Sequence, residues 1–232
     1  LSALENIIED SAKRGGTLLI PAFSTERTQD ILFEIRSLML EKRVPQIPVY
    51  LDSPLAEKIT ASYVAHPKYY NEAIQKRIAE GGHIFEFPGL HYVHDNAESQ
   101  KVGASQGAKI ILAGSGMSNG GRILSHEHDL LSDESATLLI VGYQAAGSLG
   151  RRLAEGMKEV SIKGEKVSVR CHIEKLYSYS AHMDGEQLLE FVNTMNRPPK
   201  EIFVVMGEPA AAGFLAQRLR DFLGIHATTP EA

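Results

Sequence analysis

The sequence predicts a doubly wound α/β fold: a mostly parallel sheet covered by helices on both faces, followed by a shorter strand-and-helix segment. Three observations carry this. Apolar runs of strand length recur at residues 17–23, 47–51, 109–113 and 136–141, and they are near-continuous rather than alternating. Strands of that kind are buried on both faces, as in parallel sheets. Helical patterns lie between them and supply the crossovers that parallel strands need. Glycine-rich turns stand between strand and helix at 114–121 and 142–150, where such folds open their crevices.

The elements follow in order. Residues 1–10 are amphipathic and acidic, lack a signal-peptide charge layout, and begin at Leu1 inside a helical pattern, which reads as a piece of a longer protein. After the strand at 17–23 comes a helix over about 25–41, with Ile31, Leu32, Ile35, Leu38 and Met39 on one face. The next strand, 47–51, runs into Asp52-Ser53-Pro54, a helix start with proline in the first turn. Helices are expected over 55–64 and 68–79, a short strand over 83–87, and a helix over 95–104. The strand 109–113, the glycine-rich turn and a helix to 131 form the strongest pattern, followed by the strand 136–141 and a short helix near 149–155. Residues 159–162 and 166–174 read as a hairpin, and 174–177 as a strand-like approach to His182. A helix over 185–195, a strand over 201–205 and a helix over 210–223 complete the chain.

Composition narrows the class. Of 232 residues, 43% are hydrophobic and 23% charged, an ordinary soluble balance. A net charge of −5 excludes a uniformly basic nucleic-acid binder, so any such role needs a local basic patch. The single Cys171 excludes an intrachain disulfide and suits a reducing, cytoplasmic setting. No apolar run approaches the roughly 20 residues of a membrane helix.

Several motifs have the residue types that chemistry needs. The turn Gly114-Ser115-Gly116-Met117-Ser118-Asn119-Gly120-Gly121 offers backbone N–H groups for an anion. It lacks the Gly-Lys-Ser/Thr of a P-loop and meets the dinucleotide pattern only in part, so a turn that merely needs positive φ, or a nucleotide site, remain open beside it. The second glycine-rich turn carries Arg151 and Arg152, either cations for one cleft or a solvated helix face. Ser24, Arg27 and Gln29 lie at the same kind of junction, with helix capping as the plainer reading. Of the histidines, the pair His126 and His128 is spaced by two on a helix and points to different faces. His91 and His94 lack a third partner, so both pairs read as surface histidines. His182, between Ser180 and Asp184 at a helix start, has the chemistry of a general acid or an oxyanion donor, although a lone histidine is more often structural.

Six segments in order resemble the β-CASP family of the metallo-β-lactamase superfamily. They are Ile20-Pro21-Ala22-Phe23-Ser24-Thr25-Glu26-Arg27, Asp52-Ser53-Pro54-Leu55-Ala56, Ala113-Gly114-Ser115-Gly116-Met117, Val141-Gly142-Tyr143-Gln144 with Gly147-Ser148-Leu149-Gly150-Arg151, Tyr179-Ser180-Ala181-His182-Met183-Asp184, and Gly207-Glu208-Pro209. The resemblance spans the whole chain. It implies a β-CASP domain over 1–177 and the C-terminal strand-helix portion of a metallo-β-lactamase αββα domain over 178–232. It also implies a hydrolase that cuts RNA phosphodiesters with two zinc ions in the intact protein. By resemblance His182 is catalytic and lies beside the scissile phosphate, while Ser180, Ser115, Gly116 and Met117 sit near RNA phosphates; Arg27 and Arg151 are added as phosphate-binding cations from their place at the strand-to-helix junctions of the same edge. The implied partners are RNA, single-stranded in particular, and a second β-CASP subunit, identical or not. The family's zinc-binding His-x-His-x-Asp-His motif is not in this sequence, and Met206 stands where a zinc-binding histidine is expected before Gly207. A thioether is a poor zinc ligand. The expectation is therefore an RNA-clamping piece without its own zinc and without activity alone, with a degenerate, non-catalytic subunit as the alternative.

Overall fold

The computed structural model describes residues 2–180 and 182–230. Ala181, between Ser180 and His182 in the fifth segment, lies outside the described residues. The chain forms two compact units, Leu1–Ser180 and Ala181–Ala232.

The first unit is built on helix α1 (Ser2–Lys13), strand β1 (Thr17–Pro21), α2 (Arg27–Leu40), β2 (Val49–Asp52), α3 (Pro54–Ala65), α4 (Glu72–Ala79), β3 (Leu90–Tyr92), α5 (Asn96–Ala104), β4 (Lys109–Ala113), α6 (Ile123–Leu130), β5 (Thr137–Ile140), α7 (Leu149–Ala154), the hairpin strands β6 (Glu159–Ile162) and β7 (Glu165–Ser168), and β8 (His172–Lys175). Six strands form one sheet in the order β3-β2-β4-β1-β5-β8, and every pairing in it is parallel. Alternate residues of one strand enter different cores. Leu18 and Ile20 of β1 join Ile110, Leu112, Val49, Leu51 and the α2 residues Ile31, Leu32, Ile35 and Leu38. Leu19 joins Ile111, Leu138, Ile140, Val102 of α5, Ile123 of α6 and Leu153 of α7. The sheet is thus apolar on both faces, which is why its strands read as unbroken apolar runs.

The second unit holds α8 (Gly185–Asn193), β9 (Glu201–Phe203), α9 (Pro209–Leu223) and β10 (His226–Thr228). β9 and β10 pair in parallel, with α9 as their crossover. Leu189, Ala216, Leu219 and Ala227 form its small core.

Three expectations are corrected, and one strand is added that was not expected. Residues 83–87 are not a strand: Ile84, Phe85 and Phe87 bury themselves in the first core without pairing, and the strand comes later, at β3. An apolar run reports burial, and burial does not require a ladder partner. The hairpin ends at Ser168, and His172–Lys175 leaves it to become the edge strand β8 of the main sheet. The helix expected over 68–79 starts only at Glu72, because the Asn71 side chain caps it by accepting from the Ile74 N–H at 3.0 Å. Strand β10 had no sequence signal strong enough to place it.

Candidate nucleic-acid edge

Parallel strands bring their carboxyl ends to one edge of the sheet. The loops after β1, β2, β4, β5 and β8 therefore gather Phe23–Ser24, Ser53, Gly114–Gly121, Gly142–Ser148 and Leu176–Ser180 along one side of the first unit. Hydroxyl contacts join several of them. Ser24 and Ser53 share a hydroxyl–hydroxyl contact of 3.5 Å. Ser53 also caps α3, accepting from the Ala56 N–H at 3.3 Å.

The glycine-rich turn is held from two sides. Gln144, only 6% exposed, donates its Nε2 to the Gly116 carbonyl at 3.0 Å. The Gly150 N–H donates to the Met117 carbonyl at 3.2 Å. Close approach explains two glycines. A Cβ on Gly116 would lie 2.8 Å from the Phe23 ring, and one on Gly150 would lie 1.8 Å from Gln144 Oε1. Within the turn, the buried Ser118, at φ 56°, donates its hydroxyl to Oε1 of the fully buried Glu127. Glu127 Oε2 has no hydrogen-bond partner. Burial pushes the Glu127 carboxyl up to about 7, and the Ser118 bond only partly opposes it.

The predicted residues separate into groups. Arg151 and Ser180 line one cleft of about 490 Å³ with Tyr143, Gln144, Lys175 and Tyr177. Arg151 also donates to Glu155 at 2.6 Å and to the Gln144 carbonyl at 3.3 Å. Gly116 and Met117 join this group through Gln144 and Gly150. The Ser115 hydroxyl is used inside its turn, accepting from the Asn119 N–H at 3.1 Å. Arg27 turns away, pairing with Asp30 at 3.1 Å and lying 5.4 Å from the Tyr179 ring centroid. Gln29 is buried rather than reaching over the edge, and donates to Thr60 Oγ1 at 2.8 Å. His182 and Met206 belong to the second unit. His182 is exposed just ahead of α8, whose N-cap is Asp184. Asp184 and Gln187 satisfy each other's backbone N–H groups at 2.9 Å, which accounts for that acid structurally.

The expectation of surface histidines fails at His126. It is 2% exposed and shares a buried cluster with Asp52. Asp52, fully buried at the end of β2, receives His126 Nε2 at 2.6 Å, Arg122 at 2.6 Å and the Ser99 hydroxyl. Burial alone would raise the Asp52 carboxyl, but the bonds from His126, Ser99 and Arg122 outweigh it and hold the group below its ordinary range. The spacing rule correctly denied a two-ligand helix face and said nothing of a partner contributed by another strand.

Three edge residues were missed. Phe23, Tyr143 and Tyr177 are 47%, 55% and 56% exposed, at the carboxyl ends of β1, β5 and β8. An aromatic side chain directly after a buried strand at this edge was the available signal. Among the described residues no three His, Cys, Asp or Glu side chains come together as a metal-holding group. Met206 is fully exposed at φ 66° and offers only a thioether. These residues do not fit a zinc site.

Comparison with known proteins agrees with this architecture. Residues 28–153 match the Beta-Casp domain, and residues 166–230 match the Zn-dependent metallo-hydrolase RNA specificity domain. The chain belongs to the β-CASP family of the metallo-β-lactamase superfamily. Among its relatives, Ribonuclease TTHA0252 of Thermus thermophilus is 36% identical over 186 residues, covering 80% of this chain and 43% of the relative. Transcription termination factor FttA of Methanosarcina mazei is 32% identical over 219 residues, covering 92% of this chain and 34% of the relative. The same factor from Methanothermobacter thermautotrophicus is 31% identical over 233 residues, covering 98% and 36%. The chain thus spans less than half the length of these relatives.

Proposed function

We propose that this chain is the RNA-clamping part of a zinc-dependent RNA-processing nuclease. The observation that carries the reading is the carboxyl edge of the parallel sheet. There a braced glycine-rich turn, Arg151 and Ser180 accompany the exposed rings of Phe23, Tyr143 and Tyr177. Exposed rings stack on unpaired bases regardless of sequence, and N–H groups and arginine bind phosphate. In this reading the backbone of Gly116 and Met117, the Ser115 turn, Ser180 and Arg151 hold phosphates, and Arg27 joins them by leaving Asp30. His182 is the catalytic residue beside the scissile phosphate, donating a hydrogen bond to a phosphoryl oxygen or a proton to the leaving oxygen. The relatives' names, a ribonuclease and a transcription termination factor, support an RNA substrate. Since the residues present do not fit a metal site, zinc takes its ligands from outside this chain, and the chain alone is inactive. A cytoplasmic setting and a second β-CASP subunit, identical or not, complete the proposal.

The test uses the 232-residue chain. It is expected to bind single-stranded RNA, to leave it uncut, and to carry no stoichiometric zinc. One or two tightly bound zinc ions by elemental analysis would overturn the last point. Tyr143→Ala and Tyr177→Ala should each weaken RNA binding about tenfold in a filter assay, the loss expected for one stacked base. Unchanged binding in both removes the edge as the RNA track.

Met206 favours a second reading, in which the parent protein is a non-catalytic subunit. Cleavage by the full-length protein and by its Met206→His variant separates the two. Full wild-type activity with no gain from the histidine sinks the degenerate reading.

A further inference from the structure

Glu127 occupies a position that the helix pattern assigns to an apolar residue. Helical spacing puts it on one face of α6 with Ile123 and Leu130, both members of the second core. The Glu127 side chain is fully buried on that face. A carboxylate is costly in such a place unless a cation or several donors receive it. Asp52 has Arg122, His126 and Ser99. Glu127 has one hydroxyl, that of Ser118, and nothing on Oε2.

The titratable groups around it leave its charge uncompensated. On α6 itself, His126 faces Asp52, and His128 faces Asp129 and Glu165. Arg122, ahead of α6, is spent on Asp52, Asn96 and the carbonyls of Val93 and His94. The neighbouring α5 brings Glu98, which accepts the His94 N–H, and the exposed Lys101. β1 brings no titratable side chain. Cys171, ahead of β8, feels the Glu127 charge, but burial above all pushes its thiol up to about 11, so it is neutral while Glu127 titrates. The causes of the Glu127 shift are burial and the opposing Ser118 bond alone. Ser118 in turn follows directly on Gly116 and Met117. The carbonyls of those two residues are tied to Gln144 and to the Gly150 N–H, and the Ser118 N–H is tied to the Ser115 carbonyl at 3.2 Å. So pinned, the turn has little freedom to carry a bound phosphate away from Glu127.

We propose that Glu127 is a proton-linked gate on the glycine-rich turn: the turn takes an RNA phosphate while Glu127 is neutral and releases it when Glu127 ionises. The gate rests on the RNA reading of the edge and adds its regulation. A buried negative charge held by the residue next to Met117 repels a phosphate on the Gly116–Met117 backbone through a medium that screens poorly, an effect of about fivefold to tenfold in affinity. Affinity therefore falls as pH rises through the value at which Glu127 loses its proton. The linkage is reciprocal, so a phosphate on the turn makes Glu127 harder to ionise, and binding near neutral pH takes up protons.

The test measures binding of an oligouridylate to the 232-residue chain and to its Glu127→Gln and Glu127→Leu variants. Between roughly pH 6 and pH 8, wild type is expected to lose about fivefold more affinity than either variant, the three proteins matching at the acid end. Histidines titrate in all three and cancel in the comparison. Calorimetry near pH 7 in two buffers of different ionisation enthalpy should show wild type taking up as much as about half a proton more than Glu127→Gln on binding. If one variant fails to fold, the other and the proton count carry the comparison. Parallel affinity profiles in wild type and variants, a wild-type affinity that rises with pH relative to theirs, or equal proton uptake each overturns the gate and leaves the RNA reading standing. No RNA binding by any of the three at any pH removes the edge reading, and the gate with it.

Discussion

At the scale of single residues, two buried carboxylates behave oppositely because their surroundings differ. Asp52 is saturated by His126, Arg122 and Ser99, whereas Glu127 has one hydroxyl and an unmet oxygen. Removing the Asp52 charge leaves Arg122 and His126 facing an empty position. Asp52→Asn should therefore cost about 3 kcal/mol in urea unfolding at neutral pH. Because the folded Asp52 group lies below its unfolded value, its contribution is present above roughly pH 4 and is lost as pH falls through the folded value. The variant should show a shallower acid slope than wild type. Glu127 has the reverse sign. Folding raises it to about 7, so the native state keeps a proton the unfolded chain has released, and stability is lost as pH rises toward and through that value. Glu127→Gln should match wild type near pH 5 and exceed it by about 2 kcal/mol near pH 8, measured by the same unfolding curves. Equal pH profiles would remove this account of Glu127.

At the scale of elements, the glycine-rich turn and the short helix after β5 act as one piece. Gly150, the second residue of α7, gives its N–H to Met117 and leaves room for the Gln144 amide. Gly150→Ala should cost about 2 kcal/mol by forcing Gln144 aside, and should weaken RNA binding if the edge is the RNA track. Gly213 in α9 has nothing within 4 Å of an added Cβ, so Gly213→Ala is the matched control, expected to gain up to about 1 kcal/mol. Both effects are read from thermal unfolding, and a harmless Gly150→Ala would show that Gln144 does not brace the turn. Elements with strong local signals were legible to within a residue or two. The caps Ser53, Asp95, Ser148 and Asp184 each accept from the backbone N–H three residues on, a bond whose partners lie within one turn of sequence. β3 and β8 were misplaced because a strand of three or four residues is defined by its neighbour, and the neighbour is remote in sequence.

At the scale of the whole molecule, the division after Ser180 makes a prediction of its own. Leu1–Ser180 contains the six-stranded sheet and both of its cores, so a fragment 1–180 should unfold cooperatively by itself. A non-cooperative transition would show that the second unit is needed for its stability. The second unit has a small core and exposes Phe191, Phe203, Val205, Phe214 and Phe222. The sequence by itself determined the parallel, doubly covered sheet, the order of its turns and the family. These rest on periodicity and on short motifs whose physics is local. The tertiary structure decided which candidates meet. It turned Arg27 toward Asp30 and Tyr179, buried His126 against Asp52, and used Gln144 to brace the turn. It also placed three aromatic rings along one edge. The physical reason is that a side chain's role depends on partners delivered by other elements, and their distance in space is set by strand order and packing rather than by spacing along the chain.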